Sequence, residues 1–185
     1  MAVSELMQAL YRGDSERVAE LRAAQPQLDV FEAASLGDVD RLRVILGADP
    51  ACVFSWSEDG FTPLHFAAFF GHPDAAELLI EHGADLEAPS RNEEFAPAAR
   101  PLHSAAAAKQ HEVCALLLSK GADPNARQHG GFTPLLEAAQ HGDSDLAELL
   151  LAHGADPAVA LEDGRTAADL AGEAGAAELA ERLRR

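Results

Sequence analysis

Basic residues are scarce in this chain of 185 residues: 14 Lys plus Arg stand against 31 Asp plus Glu, a formal charge of −17. A nucleic-acid binder needs a basic stripe that releases counterions, and the one dense basic run is Arg182, Arg184 and Arg185 at the end. Aromatics are also few, with 8 Phe, 1 Trp and 1 Tyr. Two cysteines, Cys52 and Cys114, are too few for a disulfide framework and match no paired zinc-knuckle spacing. No window approaches the roughly 18 uninterrupted apolar residues of a membrane span. Met1 to Asp14 lacks a basic region followed by an apolar stretch, so it does not read as a signal peptide, and a reducing cytoplasm is the expected setting.

Catalytic motifs are missing as well. His111-Glu112-Val113-Cys114-Ala115 begins like the zinc-protease pattern HExxH but has no second histidine to bind metal. There is no GxSxG elbow, no GxxxxGK[ST] phosphate loop and no GxGxxG turn. Cys114 lies among Val113, Leu116, Leu117 and Leu118, the setting of a buried, inert thiol.

What is abundant is small and apolar: 39 Ala and 25 Leu. With so few bulky side chains, thin layers of closely spaced helices are a better use of this apolar surface than one thick core. The alanines and leucines also recur in register. Asp59 to Asp85 reads DGFTPLHFAAFFGHPDAAELLIEHGAD, Arg100 to Asp123 reads RPLHSAAAAKQHEVCALLLSKGAD, and Gly130 to Asp156 reads GGFTPLLEAAQHGDSDLAELLLAHGAD. The motif prolines are Pro63, Pro101 and Pro134, with Ala167 in the same place in the next copy, giving steps of 38, 33 and 33 residues. Weaker copies begin near Glu5 and Val30.

Each copy predicts a helix pair. In Thr62-Pro63-Leu64-His65 the threonine can cap a helix and the proline fits its first turn, while the imidazole can bond back toward the cap. The first helix is expected from Pro63 to about Phe70, where Gly71 turns the chain. A second is expected from near Pro73, with Ala76, Leu79 and Ile80 on one face and Gly83 at its end. One such pair cannot bury its own apolar face, so stacking must do it.

A period of 33 with T-P-L-H-x-A resembles the ankyrin-repeat family over nearly the whole chain, in the manner of small bacterial-type ankyrin-repeat domain proteins. The resemblance implies an all-α solenoid of helix-turn-helix units joined by hairpin loops. The expected organisation is a single domain over residues 1–185, with units at about 4–27, 28–56, 57–96, 97–127, 128–160 and 161–185, the first and last acting as polar caps. Two departures bear on the third full unit, 97–127: Arg100 replaces the capping threonine and Lys109 the turn glycine, which puts its cap and turn geometry in question. Five extra residues also precede it, in the stretch LEAPSRNEEFAPAA.

The resemblance further implies that hairpin tips and the ends of the first helices line a concave, partner-binding face. The candidates there are Trp56, Glu58, Asp59, Phe61, Phe69 and Phe70, with Phe132, Gln140 and His141 further along. Their aromatic density reads as a protein-binding hot spot, unless the inserted loop folds Phe95 over it as a small satellite core. The expected function is that of a monomeric scaffold, adaptor or inhibitor binding another protein, with no catalysis, cofactor, metal, nucleic acid or membrane. The acidic rim at Glu58, Asp59, Glu93 and Glu94 would favour a partner with basic residues around an apolar centre. Two other classes compete. One is a metal-dependent module or small enzyme using histidines such as His129 and His141. The other is an acidic decoy for a basic protein, which would need the charge gathered into one rail, whereas the sequence spreads it over every unit.

Overall fold

A computed structural model describes residues 4–24 and 27–184. Among them the chain forms twelve helices in six successive antiparallel pairs: α1 (Glu5–Arg12) with α2 (Ser15–Ala24), α3 (Val30–Leu36) with α4 (Val39–Ala48), α5 (Pro63–Phe70) with α6 (Pro73–Glu81), α7 (Pro101–Ala107) with α8 (His111–Ser119), α9 (Pro134–Gln140) with α10 (Ser144–Ala152), and α11 (Ala167–Glu173) with α12 (Ala177–Leu183). The only extended pairing among the described residues is a single antiparallel bridge between Ala160 and Thr166. The architecture is therefore all-α.

The helix starts are built as their sequences require. Thr62, Thr133 and Thr166 adopt extended backbone and accept a hydrogen bond from the third residue of α5, α9 and α11. Each such cap satisfies an otherwise orphaned donor, worth about 1 kcal/mol. Asp29, Asp38 and Asp143 cap α3, α4 and α10 in the same way.

The first helices of successive pairs stack on one another, α3 on α5, α5 on α7, α7 on α9 and α9 on α11. The second helices form a parallel outer layer. Alanines make the inner stack possible: Ala33, Ala67, Ala105 and Ala138 have no exposed surface, so the helix backbones approach closely. Between the layers lies one continuous core, with Leu42, Leu79, Leu117 and Leu150 fully buried from one outer helix to the next.

Close approach also decides a turn. A Cβ on Gly71 would stand 2.2 Å from Oε1 of Gln110, which begins the outer helix of the next unit and donates through Nε2 to the Phe69 carbonyl at 3.3 Å. Gly71 has a φ of 78°, which favours glycine at the turn, and a larger residue would also push the Gln110 amide aside.

The two departures in the unit at 97–127 are accommodated locally. Arg100 cannot accept as threonine does, but its backbone N–H still donates to His103 Nδ1 at 3.2 Å, so half of the cap survives. Its guanidinium instead ties the inserted loop to the next hairpin, donating to the carbonyls of Ala98 and Arg127 at 3.2 and 2.9 Å and pairing with Glu87 at 3.1 Å. Lys109 keeps the left-handed turn of the glycine it replaces, with φ at 58°. The turn is preserved, at the conformational cost of a side chain in that region.

Candidate functional site

The face made by the hairpins and inner helices carries a cleft of about 640 Å³. Its origin is a register of side-chain sizes. The fourth and seventh residues of α5 are Phe66 and Phe69; those of α9 are Glu137 and Gln140; between them α7 has only Ser104 and Ala107. Small residues between large ones leave a depression, with Phe66 and Phe69 as one wall, Ser104 and Ala107 as floor and Glu137 as the opposite wall.

Tyr11 extends the aromatic wall. Its ring lies 6.4 Å from that of Phe69 and 5.8 Å from that of Phe70, and the Phe69 and Phe70 rings meet edge-on at 5.2 Å. The Tyr11 hydroxyl donates to Asp59 Oδ2 at 2.8 Å, and Ser57 Oγ donates to Asp59 Oδ1 at 2.5 Å. Phe61 closes the hairpin side, its ring 6.0 Å from Phe66.

The inserted loop forms the far rim. Asn92 Oδ1 accepts from the backbone of Glu94, Phe95 and Ala96, while its Nδ2 donates to the Asp59 carbonyl at 2.9 Å. Arg91 N–H donates to the Gly60 carbonyl at 2.8 Å, and a Cβ on Gly60 would stand 2.5 Å from the Asn92 nitrogen, so the loop is seated directly on a glycine. On its other side, His129 N–H donates to the Pro97 carbonyl at 3.0 Å. A loop held at both ends presents Phe95 at the cleft edge with 84% of its surface exposed, and Phe69 remains 40% exposed. The loop therefore edges the aromatic cluster and leaves it open; Phe95 makes no satellite core there.

The candidates from the sequence fall into three groups. Asp59, Phe61 and Phe69 line the cleft. Phe132 and Gln140 line an adjoining hollow of about 220 Å³, which shares Phe95, Gln128 and Glu137 with the first. Trp56, Glu58, Phe70 and His141 line neither. Trp56 is half-buried beneath Arg91, whose guanidinium sits 4.1 Å from the ring centre, and Phe70 is half-buried behind Phe69. His141 is the exposed residue ending α9, and Glu58 is exposed at a hairpin tip.

Ser104 and Glu137 were not among those candidates, although the register of helix positions signals them once fourth residues are compared across copies. Glu137 has the most unusual environment. It is 9% exposed, and Gln128 Nε2 donates to its Oε1. Burial pushes its carboxyl up to about 7, against the opposing effect of that hydrogen bond. Beneath the cleft, His65 and His103 are neutral tethers between units, and burial pushes each down to about 4. Burial also pushes the Cys114 thiol up to about 12.

Nothing here assembles a metal centre: among the described residues no three His, Cys, Asp or Glu side chains come together as ligands. His129 borders the smaller hollow and His141 lies outside it. Nor is any helix among them long and apolar enough to cross a membrane.

A family model for ankyrin repeats in three copies matches residues 6–90, 30–128 and 102–184. The chain belongs to the ankyrin-repeat family. Ankyrin repeats are generally non-catalytic protein–protein interaction modules. Among curated proteins, the chain is similar to human neurogenic locus notch homolog protein 4, 42% identical over 115 residues that make up 62% of this chain and 6% of that protein. It is also similar to bovine ankyrin repeat and SOCS box protein 3, 37% identical over 170 residues, 75% of this chain and 32% of that one. A third relative is the neurogenic locus Notch protein of Drosophila melanogaster, 40% identical over 82 residues, 44% and 3% of the two chains. This ankyrin chain thus spans no more than about a third of the length of these relatives. All three are animal proteins, so they lend no support to the expected bacterial type.

Proposed function

We propose that the chain binds a partner protein in the cleft between α5, α7 and α9, as a scaffold, adaptor or inhibitor with no catalysis of its own, acting as a monomer in the cytoplasm. The observation that carries this reading is an open apolar cleft, walled by Phe66 and Phe69 and rimmed by Phe95, in a chain poor in aromatics. An aromatic side chain held in water at a concave site favours a partner that removes it from water, and such anchors dominate interface energies. Asp59, Phe61 and Phe69 act as primary contacts. Trp56, Glu58, Phe70, Phe132, Gln140 and His141 make up the surrounding surface.

The test is affinity capture of a partner followed by titration against wild type, Phe69→Ala and Ala107→Trp. Phe69→Ala should weaken binding by roughly 1 to 3 kcal/mol with helical circular dichroism unchanged. Ala107 is exposed on the cleft floor, so the tryptophan fills the cleft without entering the core. A partner that binds Ala107→Trp as well as wild type would place the interaction elsewhere.

A further inference from the structure

The cleft is mostly apolar, and two acids line it, Asp59 and Glu137. Glu137 is there because α9 has a carboxylate where α5 has Phe66. Its Oε1 is held by Gln128, and Oε2 accepts no hydrogen bond from any described residue. No cation of the chain offsets it among the described residues. Of the two arginines on the nearby loop, Arg100 is committed to Glu87 and to the carbonyls of Ala98 and Arg127, and Arg91 lies over the Trp56 ring. The other acid of the cleft, Asp59, already has both oxygens occupied, by Tyr11 and Ser57. One carboxylate oxygen with no partner among the described residues is therefore left to the water of the cleft that Glu137 lines.

A wholly apolar occupant would seal that oxygen from water without a partner, which disfavours it. An anionic occupant would bring like charge against Glu137 and against a chain of net charge −17. A cation adjoining an apolar group satisfies both surfaces at once, and the acidic chain steers such a group toward the site.

Resting on the protein-binding reading above, we infer that the cleft takes a segment of a partner protein in which a large apolar side chain adjoins a lysine or arginine, the apolar group seating against Phe66 and Phe69 and the cation pairing with Oε2 of Glu137. The segment's apolar residue supplies the anchor and its cation sets orientation and specificity, since a buried charge rejects ligands that leave it unpaired.

The probe is a library of random peptides displayed on phage and panned against the full chain. The selected peptides should pair an aromatic or branched apolar residue with a neighbouring lysine or arginine. A synthetic selected peptide should bind Glu137→Gln about tenfold or more weakly, and changing its lysine to norleucine should cost wild type a similar factor. Combining the two changes should cost little more than either one, the signature of a direct pair. Both Ala107→Trp and Phe69→Ala should lose the peptide, the second variant guarding against misfolding of the first; melting curves confirm that each is folded.

Peptides lost on both cleft variants but lacking a cation and indifferent to Glu137→Gln would overturn this inference and leave the protein-binding reading standing. Peptides that bind both cleft variants as wild type does, or a panning that enriches nothing, would overturn both.

Discussion

His65 Nε2 stands 2.9 Å from the carbonyl oxygen of Ala99, thirty-four residues ahead, at the end of the inserted loop. On the other side of the ring, Nδ1 receives the Thr62 N–H at 3.2 Å. The ring must accept at one nitrogen and donate at the other, which only the neutral imidazole can do. His103 repeats the device, receiving the Arg100 N–H and donating to the Phe132 carbonyl at 3.3 Å. In these two units a capping residue thereby ties the unit to the one that follows.

Acid should undo these tethers. Burial, opposed by the bond to the Ala99 carbonyl, holds His65 at about 4, and His103 is likewise held at about 4, both below the ordinary 6.5. Because the folded values are depressed, the unfolded chain takes up protons first. Stability is fully present above about 6.5 and is lost as the pH falls toward 4, up to about 3 kcal/mol per ring. Proton NMR of the two imidazoles should show flat shifts from about pH 8 down to about pH 5. A midpoint near 6.5 for either ring would sink the tether.

Glu137 has the opposite sign. Its folded carboxyl is raised to about 7 from 4.5, so the unfolded chain loses its proton first and stability falls as the pH rises between those values. At about pH 8 the buried charge costs up to roughly 3 kcal/mol. Glu137→Gln should therefore raise the urea-unfolding free energy by about 1 to 3 kcal/mol at pH 8 and change it far less near pH 4.5. An equal effect at both pH values would show that its charge is not what strains the site. A variant more stable than wild type yet poorer at binding would also separate function from folding.

Lys109 sits at φ 58°, in the place that Gly71 takes after α5. Asp143 of the next unit is engaged by His111 Nε2 at 2.8 Å and also feels the Lys109 charge. Lys109→Gly should relieve left-handed strain and stabilise the protein by about 0.5 to 1 kcal/mol, less the extra entropy that glycine gives the unfolded chain. Thermal unfolding compared with wild type measures it, and a lower melting temperature would mean that the lysine side chain contributes a contact worth more than the strain.

The helix pairs were legible in the sequence because their determinants are local: Thr62 and Pro63 start α5, and Gly71 stops it, whatever lies elsewhere. Alanines recurring at one register specified stacking for the same reason, since the inner helices pack only on their immediate neighbours. The aromatic content of the site was likewise visible in Phe61 and Phe69. What the chain order could not reveal was the relation among units: that Ser104 and Ala107 open a hollow between Phe66 and Glu137, that Tyr11 reaches over the second unit to Asp59, and that Trp56 is spent on Arg91. Those are contacts between residues as much as 48 positions apart, and the one between Trp56 and Arg91 depends on where a five-residue insertion comes to rest. Its course is set by Asn92 wrapping its own backbone and by Gly60 admitting it, which leaves Phe95 at the rim and the cleft open. Periodicity determines which side chains share a face; only the packed stack decides which of them leave space between them and which carboxylate is left facing it.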